Sequence, residues 1–254
     1  ATVFAETEYL PSMIHTYSLP KHADPHALAS GTAIVIDVLR ATTTICTALA
    51  NGCSYVVPCL TVENAIEAAK QITPKPILGG ERDGVLIDGF DLGNSPAEYT
   101  TERVAKTPIV FTTTNGTKAM EICTHAQSTV LASFNNLHRV VDHGKNSLGR
   151  GQDLHIICAG TNGLETEEDF LLAGAIASKL PQDTLCMCET TRDAYNQWQQ
   201  IHTGTIDIFS VLLESNGGRN LQSIGMEGDI RLASEVDRVD VLPLLDHQTK
   251  HITG

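Results

Sequence analysis

Three loop-like segments carry the residues from which chemistry could be built. Asp37-Val38-Leu39-Arg40-Ala41-Thr42-Thr43-Thr44 follows the apolar, β-branched run Ala33 to Ile36. Thr112-Thr113-Thr114-Asn115-Gly116-Thr117 follows Ile109-Val110-Phe111, and Ala159-Gly160-Thr161-Asn162-Gly163-Leu164-Glu165 follows Leu154 to Cys158. Free N–H groups at a helix start suit an oxyanion, and short hydroxyl side chains let it approach the main chain. The same residues are ordinary helix caps and turn formers, so one such loop says little and three converging at one sheet edge say more. Asp37, Glu81, Glu168 and Asp169 are acids in or beside these segments. Magnesium takes one or two carboxylates plus waters and phosphate oxygens, and it could reduce charge on a phosphoryl group and orient an attacking water. Glu167, Glu168 and Asp169 also fit the first turn of a helix, where the dipole favours acids.

Positive charge must come from few places. Gly79 to Pro96 reads as a long glycine-rich loop in which Glu81, Arg82 and Asp83 would put both signs of charge beside a ligand; a solvated surface loop is the alternative. Arg219, between glycine and asparagine in Ser215 to Leu221, suits an anion clamp or a surface charge equally.

Positioning these loops requires strand–loop–helix units. Residues 33–60 and 108–135 stand in register as two copies of one unit, with Asp37 opposite Thr112 and Thr42 opposite Thr117. A third unit runs from Leu154 through a helix expected from Glu167 to Leu180. Continuous apolar strands alternating with helices imply a three-layer α/β/α domain over residues 1–254 around a mostly parallel sheet, with two related sub-halves. Ligands of such sheets bind beyond the C-terminal strand ends. Glu63 to Gln71 and Asn136 to Lys145 read as amphipathic helices and His143 to Asp153 as a polar loop. Arg192 to Glu214 reads as helical with a break near Thr203-Gly204, Ser215 to Leu221 precedes a short helix, and Gly228-Asp229-Ile230 opens a further segment.

Composition excludes several classes. The formal charge is −13, with 30 acids against 17 lysines and arginines, and aromatic residues are 5%; this disfavours nucleic acid, which needs positive grooves and stacking platforms. A small anionic ligand fits only where positive potential is concentrated locally. Seven cysteines without a CxxC pair suggest neither a disulfide framework nor a zinc ribbon. No apolar run approaches the roughly 18 residues of a membrane span. Ala1 to Leu10 holds Glu6 and Glu8 and no basic stretch, which points to the cytoplasm. A homodimer is the base-rate expectation for association. Phosphate-loop, dinucleotide and G-x-S-x-G signatures are absent. Leu39 stands where a haloacid-dehalogenase-type phosphatase would carry its second aspartate.

The chain resembles the 2-phosphosulfolactate phosphatase (ComB) family. The resemblance rests on VIDVLRATTT (Val35 to Thr44), GGERDG (Gly79 to Gly84), GFDLGNSP (Gly89 to Pro96) and TTTNGT (Thr112 to Thr117). It continues with CAGTNG (Cys158 to Gly163), EDFLLAGAI (Glu168 to Ile176), GRNL (Gly218 to Leu221) and Asp229-Ile230. It implies an α/β fold with related halves and a Mg²⁺-dependent phosphatase hydrolysing (R)-2-phospho-3-sulfolactate to sulfolactate and phosphate, on the route to coenzyme M. Set against that substrate, Arg40, Arg82 and Arg219 become candidate clamps for its anionic groups. Asp37 and Asp169 become candidate Mg²⁺ ligands. Thr43, Asn115, Gly116 and Thr117, with Gly160 and Thr161, would hold the substrate. Glu81 is the candidate general base, and Asp37 as a covalent nucleophile is the rival mechanism. A phosphatase of broad specificity and a non-catalytic anion-binding protein are the alternatives. The segment before Met13 matches no family pattern.

Overall fold

The computed structural model describes residues 12–181, 186–204 and 207–254. Its strands are β1 (Met13–Tyr17), β2 (Thr32–Ile36), β3 (Val56–Pro58), β4 (Ile77–Arg82), β5 (Val85–Leu86), β6 (Ile109–Thr112), β7 (Ser128–Ala132), β8 (Leu154–Cys158), β9 (Cys186–Met187), β10 (Leu244–Asp246) and β11 (His251–Thr253). The helices are α1 (Ala41–Ala50), α2 (Val62–Gln71), α3 (Thr101–Val104), α4 (Gly116–Glu121), α5 (Leu137–Gly149), α6 (Glu167–Ser178), α7 (Glu189–His202), α8 (Ile208–Glu214), α9 (Asn216–Ser223) and α10 (Glu227–Ser234). Among the described residues one sheet has the order β5-β4-β6-β3-β11-β10-β7-β2-β8-β1-β9.

The sheet consists of two parallel halves. β4, β6 and β3 are parallel to one another, as are β7, β2, β8, β1 and β9. The antiparallel hairpin β10–β11 lies between β7 and β3 and pairs antiparallel with both. The two halves therefore run in opposite senses. The repeated units exchange partners: in β2–α1–β3 and β6–α4–β7, β2 pairs with β7 and β3 with β6. The loops after β2 and β8 share an edge because these strands are adjacent and parallel, with Ile36 beside Cys158. The loop after β6 reaches them from the opposed half.

Alternation along β2 explains the layers. All five of its residues are buried. Ile34 and Ile36 pack with β8 and with α5 and α6 through Leu137, Val140, Leu171 and Leu172. Ala33 and Val35 pack on the other face with Ile45 of α1, Met120 of α4 and Phe111. Fully burying one such Ile or Leu contributes about 1.5–3 kcal/mol. A smaller cluster around Val110 carries α2.

Several sequence expectations change. Gly79 to Arg82 is not loop but the last four of the six residues of β4. A Cβ on Gly79 would collide with Tyr99 Oη, and one on Gly80, at φ +138°, with Thr112 O, so these glycines let β4 lie close to its neighbours. Asp83-Gly84, both at positive φ, then forms the tight turn into β5. α5 runs to Gly149 and absorbs most of the expected polar loop. α7 begins at Glu189, and α9 begins directly at Asn216, where Ser215 Oγ caps it by accepting from Gly218 N at 3.0 Å. Ala1 to Pro11 lie outside the described residues. Cys46, Cys53, Cys59, Cys123 and Cys158 are buried and free.

Candidate active site

The three loops and the β4–β5 hairpin enclose a cavity, closed on one side by α9. Asp37, Leu39 and Arg40 line it from the first loop, Thr114 and Asn115 from the second, and Thr161 and Asn162 from the third. Glu81, Asp83 and Gly84 reach it from the hairpin, with Asn94 behind. Gly217, Asn220, Leu221 and Ile224 face it at helical spacing.

Asp37 directly follows β2, four residues before α1 begins. Its Oδ1 accepts from Ala41 N at 3.2 Å, and Thr42 Oγ1 donates to its carbonyl at 2.8 Å. Asp169, in the first turn of α6, accepts from Val38 N at 2.8 Å and Gly160 N at 3.0 Å, tying the first loop to the third. Glu81 accepts from Gly84 N and Thr114 N, both at 2.8 Å, and so ties the hairpin to the second loop. Asn115 Oδ1 accepts from Asn162 N at 3.1 Å, joining the second loop to the third. The cavity floor is one hydrogen-bonded assembly.

The acids are crowded. Burial, and then the Asp169 carboxylate, push Asp37 up to about 8. Burial and the neighbouring Glu168 push Asp169 up to about 7. Burial likewise raises Glu168, to about 7, and its Oε2 is buried with no hydrogen-bond partner. Against these stands Arg40, 4% exposed, whose Nη1 donates to Asp229 Oδ2 at 2.7 Å and whose Nη2 donates to Gly84 O at 2.7 Å. A cavity floored by acids around one arginine, with amide and hydroxyl groups on its walls, suits a compact anion accompanied by a hard cation.

The 2-phosphosulpholactate phosphatase family matches residues 17–248. The chain belongs to this family. Proteins named probable 2-phosphosulfolactate phosphatase from Thermotoga petrophila and Thermotoga maritima are 39% and 40% identical over 214 residues, which is 84% of this chain and 88% of each relative. One from Symbiobacterium thermophilum is 40% identical over 223 residues, 85% of this chain and 92% of the relative.

Of the residues that the family resemblance singles out, Asp37, Arg40, Glu81, Asn115 and Thr161 meet at the cavity, and Asp169 lies immediately behind it. Gly116 serves by being small: a Cβ there would stand 2.7 Å from Asp37 Oδ2 and 2.6 Å from Ala41 Cβ. Gly160, at φ +63°, presents its N–H to Asp169 rather than to the cavity. Four other expected residues do not line the cavity. Thr43 is fully buried and donates to Val38 O at 2.8 Å, and Thr117 donates to Thr113 O at 2.9 Å. Arg82 turns away, held by Glu81 O at 2.7 Å and Thr112 Oγ1 at 2.9 Å. Arg219 is exposed outside the cavity and pairs with Glu214 at 3.3 Å. Glu81 lines the cavity, and both of its oxygens accept hydrogen bonds that brace the hairpin against the second loop. Sequence reasoning assigned no role to Asn94, Ser95, Asn162, Asn220 or Asp229. The missed signal for Asp229 is Arg40 itself, because an arginine buried at a strand end requires a carboxylate.

Proposed function

We propose that the chain hydrolyses 2-phospho-3-sulfolactate to sulfolactate and phosphate with Mg²⁺. The observation that carries this reading is a cavity in which Asp37 and Arg40 of one repeat face Thr114 and Asn115 of the other, in a member of this family. The substrate carries a carboxylate, a sulfonate and a phosphate, and the cavity offers Arg40 and uncharged donors from three loops to hold them.

Charge supports the metal. Asp37, Glu81 and Asp83 line the cavity, while the charge of Arg40 is already balanced by Asp229. A polyanion entering without a cation would meet like charge in a partly desolvated site. Asp37 and Asp169 are oxygen donors of the type that Mg²⁺ takes, and the unpartnered Glu168 Oε2 lies beside them in the chain. Among the described residues no three acids, histidines or cysteines form a ready-made cage, so the ion would complete its shell with water and substrate oxygens, as Mg²⁺ commonly does. When bound, the ion neutralises phosphoryl charge and orients water. Arg40 holds an anionic group in place, and the Ala41 N–H fixes the Asp37 carboxylate toward the reacting centre. Glu81 holds Thr114 and Gly84 so that the walls keep their spacing.

Phosphate release from phosphosulfolactate and from phospholactate, each with Mg²⁺ and with EDTA, tests this. A strong preference for the sulfonate, lost in EDTA, is expected. Equal rates would mean a general phosphatase, and no release under any condition would mean an anion-binding protein.

A further inference from the structure

We infer that Asp229 is the positioning residue for the anion clamp: through a buried Ser95–Asp229–Arg40 chain, it fixes Arg40 against the cavity. The inference rests on the reading of the cavity as an anion site. Asp229 lies in the first turn of α10 and is 4% exposed, as is Arg40. Its two oxygens have separate tasks. Oδ2 accepts from Arg40 Nη1 at 2.7 Å, and Oδ1 accepts from Ser95 Oγ at 2.6 Å. The loop bearing Ser95 is itself anchored, because Thr44 Oγ1 of α1 donates to the adjacent Asn94 carbonyl at 2.9 Å.

Arginine–carboxylate pairs are frequently bidentate. Here Asp229 takes one nitrogen of Arg40 and the Gly84 carbonyl takes another, at the hairpin turn that forms the cavity rim. The guanidinium is thus held from two directions and still has donors to spare. Such a group keeps its orientation before the anion arrives, and that is how a fixed clamp outperforms a mobile one. Ser95 prevents the Asp229 carboxylate from rotating. The chain therefore links the back of α1, the loop at Asn94, α10 and the hairpin rim to a single cavity-lining side chain.

The test is a double-mutant cycle on the full chain with Mg²⁺, using Arg40→Ala, Asp229→Asn, both together, and Ser95→Ala. The readouts are kcat and KM for phosphosulfolactate, Kd for inorganic phosphate by calorimetry, and Tm. Arg40→Ala is expected to lower kcat/KM by about 1,000-fold, and Asp229→Asn by about 30-fold, mostly through KM. The double variant should be no worse than Arg40→Ala, because Asp229 acts only through Arg40. Ser95→Ala should raise KM and phosphate Kd about threefold to tenfold with kcat nearly unchanged, and it carries the test if Asp229→Asn fails to fold. Losses that multiply in the double variant overturn the inference, as does a fall in Tm with KM and phosphate Kd unmoved. Wild-type protein that binds phosphate without turnover would sink the phosphatase reading while the cycle is still read in Kd. Protein that neither binds nor turns over sinks both.

Discussion

The loops after β2 and β6 occupy matching places in two copies of one unit, yet they contribute opposite things. The first supplies buried charge, Asp37 and Arg40; at the corresponding positions the second has Thr112 and Asn115. The first leads into a ten-residue helix, α1, that is buried almost throughout, and the second into the six-residue α4. The equivalent helix starts also touch. Ala41 and Gly116 are corresponding residues, and a Cβ on Gly116 would stand 2.6 Å from that of Ala41. Two copies can meet so closely only if one gives up its side chain. Two copies both bearing acids would repel each other at the same point. The charged groups stand on the first loop, and the second leaves room for them and adds uncharged groups.

The largest break in that comparison is Asp37→Asn. It is expected to lower kcat by about 1,000-fold or more, the scale for a residue acting directly on the reacting centre. The same change removes a buried carboxylate crowded by Asp169 and Glu81, so Tm near pH 8 should rise. Loss of activity with a gain of stability would be read from steady-state rates and calorimetry on one sample. Substantial turnover by this variant would remove Asp37 from the site.

Next in size is Gly116→Ala, which puts a methyl group against Ala41 and Asp37. It should cost about 1–3 kcal/mol as an overpacking change and lower kcat/KM by tenfold or more. The exchange Ala41→Gly with Gly116→Ala restores one side chain to the pair. It should recover most of the stability in denaturant unfolding, because the cost of glycine at the start of α1 is offset by its removal from the start of α4. No recovery would mean that Asp37, rather than Ala41, sets the limit.

A smaller effect lies in pH. Asp37, Asp169 and Glu168 all hold protons more tightly in the folded chain than in the unfolded one. Between the ordinary carboxylate range near 4 and about 8, the folded state therefore carries more protons, and stability falls as pH rises. These groups favour folding most at the low end of that window, and the advantage is lost as pH passes their folded values. Without divalent ion, Tm should decline from pH 5 to 8. Asp37→Asn or added Mg²⁺ should flatten the slope, and a slope unchanged by both would refute the account. Smallest of all is Arg219→Ala. An exposed pair with Glu214 is worth at most about 1 kcal/mol, and kcat/KM should stay within about twofold.

The strand–loop–helix units were legible because the mostly apolar strands β2 and β8 are followed by loops of small and polar residues. What failed was deciding which side chains share a face. Reading Gly79 to Arg82 as loop hid the rule that neighbours on a strand point to opposite faces; Glu81 reaches the cavity, so Arg82 cannot. The reason for those glycines, Tyr99 Oη and Thr112 O, lies far away in sequence. Starting the helix after Leu221 instead of at Asn216 had the same cost. Gly217, Asn220, Leu221 and Ser223 of α9, with Ile224 just after it, line the cavity, and Arg219 does not. β10 and β11, with three residues each, are too short to show a period.

The hairpin of β10 and β11 also has a meaning for synthesis. It is made after every other strand described, yet it occupies the middle of the sheet. Until residues 244–253 leave the ribosome, β3 and β7 are open edges with no strand between them, and open edges recruit other strands. A chain stopped before Leu244 should therefore form larger assemblies in size-exclusion chromatography than the chain that carries the hairpin, and the interval before the hairpin is made is when β3 and β7 most need shielding from other strands.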